Sequence, residues 1–286
     1  MKNLFRNSLC LITILILSFQ SFAQISLYTF SSSAGSYVPI SGTDLFGSNW
    51  DDGSSNLITI PFTFNYDYIP YNTLSVGANG FITLGSVAST SGYCGFAGGI
   101  TNSIAAYCTD LVGGPASSVQ YSTRGNAPNR QFVVQWTDCD HWNNSFQNHW
   151  TFQIILNETS DEIQVVWGTS TDATIMGANN CLDMADESGS TGLVGSTGAD
   201  FNLRSVTNGI NTWATSATGT LLSDVCNMSP ANFPANGLTY TWTPLPPTPM
   251  VFVSSTTTFV NNMQGVAIRS EEHTSELQSP CNLVCR

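Results

Sequence analysis

The strongest constraint on this chain is an alternation with period two. Ile58, Ile60, Phe62, Phe64 and Tyr66 share one parity, and Thr59, Thr63 and Asn65 share the other. A strand points successive side chains to opposite faces, so this run makes a strand with one buried face. Pro61 has no backbone N–H to give a ladder, which predicts an edge position or a bulge there. The alternation returns in Phe132, Val134 and Trp136, in Trp150, Phe152, Ile154 and Leu156, in Ile163, Val165 and Trp167, and in Leu238, Tyr240 and Trp242. Gly77-Ala78-Asn79-Gly80 lies between two apolar runs, and Asn-Gly tolerates the positive φ angles of a tight hairpin. Helical periodicity of similar strength is absent, and only residues 100–111 leave room for one short helical turn. Strands parted by Gly, Ser, Asn and Thr clusters predict an all-β protein, an antiparallel β-sandwich with long polar loops. Residues 169–235 carry most of those loops, which is where binding residues tend to sit.

The two ends read differently from this body. Residues 1–23 start with Lys2 and Arg6, continue through the apolar run LCLITILIL, and end in Ser21-Phe22-Ala23. That is the pattern of a secretory signal peptide cleaved after Ala23, too short in its apolar part to span a bilayer. Residues 24–243 form the main β domain. Residues 244–249, within TPLPPTP, read as a stiff proline-rich linker. Residues 250–268 are again β-prone and read as the truncated start of a second module. Residues 269–286 begin RSEEHTSELQS, which resembles translated sequencing-adapter read-through, so Cys281, Cys285 and His273 are expected to carry no function.

Charge narrows the partners. Between residues 24 and 268 there are three basic residues, Arg124, Arg130 and Arg204, against 16 acidic ones, and no lysine. Phosphate contacts need clustered Lys and Arg, so nucleic-acid binding is not expected. Nor is attraction to anionic lipid, and nothing in the mature chain reads as a membrane span. The expected location is secreted or on the cell surface, with an extracellular protein or a glycan as ligand.

Three blocks together resemble the nidogen-like extracellular domain. Residues 60–85 (IPFTFNYDYIPYNTLSVGANGFITLG) look like its opening strand and hairpin. Residues 104–111 (IAAYCTDL) look like its short apolar segment ending in an Asp. Residues 150–168 (WTFQIILNETSDEIQVVWG) resemble its phenylalanine-glutamine strand and the following hairpin. The resemblance implies an extracellular β module and, in secreted bacterial proteins, further β modules downstream. It transfers no catalytic residue, because the shared motifs are scaffold positions.

Several residues could carry chemistry. Five cysteines remain in the body, Cys94, Cys108, Cys139, Cys181 and Cys226. Export favours disulfides, and an odd count leaves one thiol over. Cys94–Cys108 is the first choice, since it closes a loop of about 15 residues and stabilises by about 3 kcal/mol in the chain-entropy model. The pairing of the other three stays open. Asp51 and Asp52, Asp183 and Asp186, and Asp138 and Asp140 are candidate calcium ligands, hard oxygen donors in acidic loops, though none follows the EF-hand spacing. Asp138 and Asp140, two apart on a strand, could also form a glycosidase-type pair. The signatures of α/β-hydrolases, zinc proteases, phosphate-binding loops and dinucleotide sites are all missing. The expected function is therefore non-catalytic adhesion or ligand binding, in the N-terminal part of a larger extracellular protein. The alternative is an accessory domain of a secreted hydrolase.

Overall fold

The computed structural model describes residues 25–90, 96, 99–142, 148–171, 188–222, 226–229 and 231–246. Its strands are β1 (Thr29–Ala34), β2 (Thr43–Asp44), β3 (Ile58–Tyr66), β4 (Ile69–Gly77), β5 (Phe81–Leu84), β6 (Ser103–Cys108), β7 (Leu111–Arg124), β8 (Gln131–His141), β9 (Trp150–Asn157), β10 (Ile163–Trp167), β11 (Ser188–Val194), β12 (Phe201–Ser205), β13 (Ala217–Thr218), β14 (Cys226–Asn227) and β15 (Leu238–Thr243). They build two antiparallel sheets that pack as a sandwich. The first runs β1-β15-β10-β9-β8-β7-β2, and the second runs β13-β12-β11-β6-β5-β4-β3 with β14 beside β11. β1 and β15 pair along their full length, Thr29 opposite Thr243 through Ala34 opposite Leu238, so the two ends of the domain are stitched together.

The alternation read from β3 is obeyed at every position, with Ile58, Ile60, Phe62, Phe64 and Tyr66 buried and the residues between them exposed. Burying each of these side chains stabilises by roughly 1.5–3 kcal/mol. β3 ends its sheet, and its register with β4 breaks between Thr59 and Phe64. Pro61 thus sits both on an edge and in a bulge. Between the sheets, Trp136 stacks on Phe152 at 5.4 Å, and Trp167 meets Trp213 edge-on at 4.8 Å. Two of the core aromatics reach backbone with their polar tips: Tyr66 donates to Val194 O at 2.8 Å and Trp136 Nε1 to Ala78 O at 3.0 Å.

The helical turn expected in residues 100–111 does not form. Ser103–Cys108 is a strand, buried at all six positions. β6 lies between β5 and β11, and its outer side is covered by Phe81, Phe96 and Ile100. A strand buried on both faces loses the period-two signal that would reveal it. The first sheet is likewise covered outside, where Tyr37 and Ile40 pack on Val133, Ile155 and Val166.

Candidate functional site

The β4–β5 hairpin organises an acidic corner of the sandwich. Its loop is Ala78-Asn79-Gly80, and only Gly80 takes a positive φ, +81°. A Cβ at Gly80 would stand 2.1 Å from Tyr107 O, so no other residue fits there unchanged. Asn79, 2% exposed, is more than a turn residue. Its Oδ1 accepts from Leu111 N at 2.9 Å, and its Nδ2 donates to Asp52 Oδ1 at 2.9 Å. Residues 49–55 are laced alongside by backbone bonds, Gly113 N to Trp50 O at 2.9 Å and Ala78 N to Gly53 O at 2.8 Å. Trp50 lies flat on Gly113, where a Cβ would come within 2.2 Å of the indole nitrogen.

This lacing gathers Asp51, Asp52 and Asp110, one oxygen of each lying within 4.8 Å of the others. Among the described residues they are the one such group of three metal-capable side chains. Asp51 and Asp52 are exposed and Asp110 is half-buried. Burial, reinforced by the charges of Asp52 and Asp51, pushes the Asp110 carboxyl up to about 6. Carboxylates crowded in this way offer the oxygen donors that calcium takes. Asp110 is the last residue but one of the IAAYCTDL block, yet nothing local in the sequence shows that it meets residues 51 and 52.

Asp138 and Asp140 stand in different surroundings. The β8–β9 register shifts between Trp136 and Cys139, and Asp138 takes φ +58° in that bulge. Its carboxylate is partly exposed and lies 2.6 Å from His149 Nδ1. Its backbone carbonyl accepts from the Ser117 hydroxyl. Asp140 is fully buried and accepts from His141 N at 2.7 Å and Asn148 N at 3.3 Å. A bulge inserts an extra residue, which undoes the two-apart spacing as a guide to a shared face. Asp183 and Asp186 lie outside the described residues.

The cysteine reading is partly corrected. Cys139 and Cys226 are buried free thiols, donating to Trp150 O and Arg204 O, each at 3.2 Å. With both of these thiols free, at most three of the five cysteines are left to pair, so two bridges do not form. Burial pushes the Cys226 thiol up to about 12 and the Cys139 thiol well above its usual range, the opposite of an activated nucleophile. Cys108 is buried on β6, and Cys94 and Cys181 lie outside the described residues.

Among known proteins, a family model described as NIDO related matches residues 27–244, the span from the start of β1 to the end of β15. No curated protein and no solved structure matches the chain. The match covers well over half of the sequence and coincides with the sandwich, so the chain belongs to the NIDO-related family.

Proposed function

We propose that this chain is a non-catalytic recognition module of the extracellular space, carried at the N-terminal part of a larger secreted or surface protein and working by adhesion or ligand binding. The observation that carries the reading is the NIDO-related match over the whole sandwich, in a family of non-catalytic modules. Three of the side chains that suggest an enzyme support it, because they are committed to structure. Asp140 accepts backbone N–H groups at the core, and the thiols of Cys139 and Cys226 are held protonated by burial. A bridge between Cys94 and Cys108 and a calcium ion at Asp51 and Asp52, joined by Asp110, belong to the same proposal. The test sets a broad panel of glycoside, ester and peptide substrates beside binding to immobilised matrix proteins and glycans. Saturable binding without turnover is expected. Turnover abolished by Asp138→Asn or Asp140→Asn would overturn the reading.

A further inference from the structure

We infer that the groove between the open edges of the two sheets is a binding site for a neutral saccharide. The inference rests on the recognition reading above and gives it a place and a ligand class. β2 ends the first sheet and β3 ends the second. Between them lies a cavity of ≈ 300 Å³ that draws its lining from β2, from the residues leading into β3, and from Tyr121 of β7. That volume is at the small end of the ligand-site range and suits one or two sugar rings.

The lining has two parts. Phe46 and Tyr121 give aromatic surface, both half-buried. Tyr121 stacks one face on Phe132 at 5.6 Å and 21°, which fixes its plane. Thr43, Asp44, Ser54 and Asn56 give polar groups, and their side chains make no hydrogen bond to the rest of the described protein. A pyranose answers both parts. Its ring C–H bonds rest on the electron-rich face of an aromatic. Its neighbouring hydroxyls donate to a carboxylate and exchange hydrogen bonds with a carboxamide, the bonds to the carboxylate being the stronger ones.

Other ligand classes fit less well. An anionic ligand would meet Asp44 and find none of the three arginines in the lining. Arg124 is bonded to Gln131, Arg130 to Glu158, and Arg204 lies 3.7 Å over the Phe30 ring while bonded to Ser216. An added peptide strand needs a regular edge. β2 has two residues, and β3 carries Pro61 and a broken register. The groove therefore offers side-chain hydrogen bonds and rings rather than a backbone ladder.

The experiment is saturation-transfer difference NMR on the full chain with D-glucose, D-galactose, D-mannose, N-acetyl-D-glucosamine and their β-linked disaccharides. At least one is expected to bind saturably in the millimolar range. Asp44→Asn and Asn56→Ala are both at exposed positions, so melting temperatures should be unchanged. Each should weaken binding by about tenfold, the usual size of losing one hydrogen bond to a charged or well-placed group. No transfer from any sugar would overturn the inference, as would sugar binding indifferent to both variants. An extended peptide that binds the groove and is lost with Asp44→Asn would overturn it as well. Binding to matrix proteins is measured in parallel on the same variants. If that binding persists where the sugars fail, the recognition reading stands and only the groove assignment falls.

Discussion

Two acidic regions of the sandwich treat their charge in opposite ways. At the β9–β10 turn, Glu158 accepts from Arg130 N at 2.9 Å and from Arg130 Nε at 2.8 Å, and Asp161 accepts from Asn65 N and Nδ2, each at 2.9 Å. The Arg130 guanidinium pulls the Glu158 carboxyl down to about 2. Beside the β4–β5 hairpin, Asp51, Asp52 and Asp110 crowd together, and the hydrogen bond into the group comes from the neutral amide of Asn79. There the Asp110 carboxyl rises to about 6. The first region is a staple that lowers the energy of the folded chain. The second is an electrostatic cost held in place by backbone lacing. Costs of that kind persist where the surroundings over-determine them, and they collect at functional sites.

If the lacing holds the carboxylates together, breaking it should have the largest effects. Gly80→Ala puts a Cβ 2.1 Å from Tyr107 O at a positive φ, so the hairpin must move away from β6. We expect a loss of about 3 kcal/mol or more, read as the urea midpoint. Asn79→Ala is the next largest. It leaves the Leu111 N–H buried without its acceptor and frees Asp52, at a cost of about 2 kcal/mol. A neutral outcome at Asn79 would show that the hairpin is held by its backbone alone.

The contrast was only half legible in the sequence. β3 was readable because one face is wet, so its parity survives to the last residue. β6 was not, since cover on both sides erases the pattern. The Asn-Gly turn was visible, but the role of Asn79 was not, because the partners of its side chain lie 27 and 32 residues away. Asp51 and Asp52 were picked out by composition. Asp110 is a lone acid in an apolar segment, and it joins them through the pairing of distant strands. At Asp138, a non-glycine residue at positive φ in a bulge defeated the rule that carboxylates two apart share a face. Local pattern finds strands, and long-range register decides which polar groups meet.

The cost at Asp110 gives a prediction with a definite sign. Its folded pKa, about 6, stands above its ordinary value of 3.8, so between these the folded state binds more proton than the unfolded one. Stability should therefore fall as pH rises from about 4 to about 6 and stay lower above that. Asp110→Asn should remove this fall. At pH 7 the gain is about 1 kcal/mol once the half-exposed site is discounted for screening, and at pH 3 it should vanish. Thermal melts across that range read it directly. Calcium sharpens the same test, because a cation held by three carboxylates offsets their repulsion. It should raise the melting temperature of the parent chain and not of Asp110→Asn. A flat titration would leave the group as a bare cost.

The smallest effect is expected at the staple. Glu158 has its pKa lowered by Arg130, so its contribution is present above the ordinary 4.5 and is lost as pH falls toward about 2. Glu158→Gln removes that acid-side loss, but its amide oxygen can still accept from Arg130 N. The pair is partly exposed, so water and salt screen the attraction, and ordering two long side chains costs entropy. We therefore expect a small drop in melting temperature at low salt and none at high salt, at neutral pH. Asp110→Asn should move the melting temperature upward at the same pH. The opposite signs of two neutralised carboxylates carry the comparison. If both variants moved the same way, the difference between staple and cost would be lost. If Glu158→Gln cost more at high salt than Asn79→Ala does, the turn at 157–162 would be the part that holds the sandwich and the hairpin lacing would be secondary.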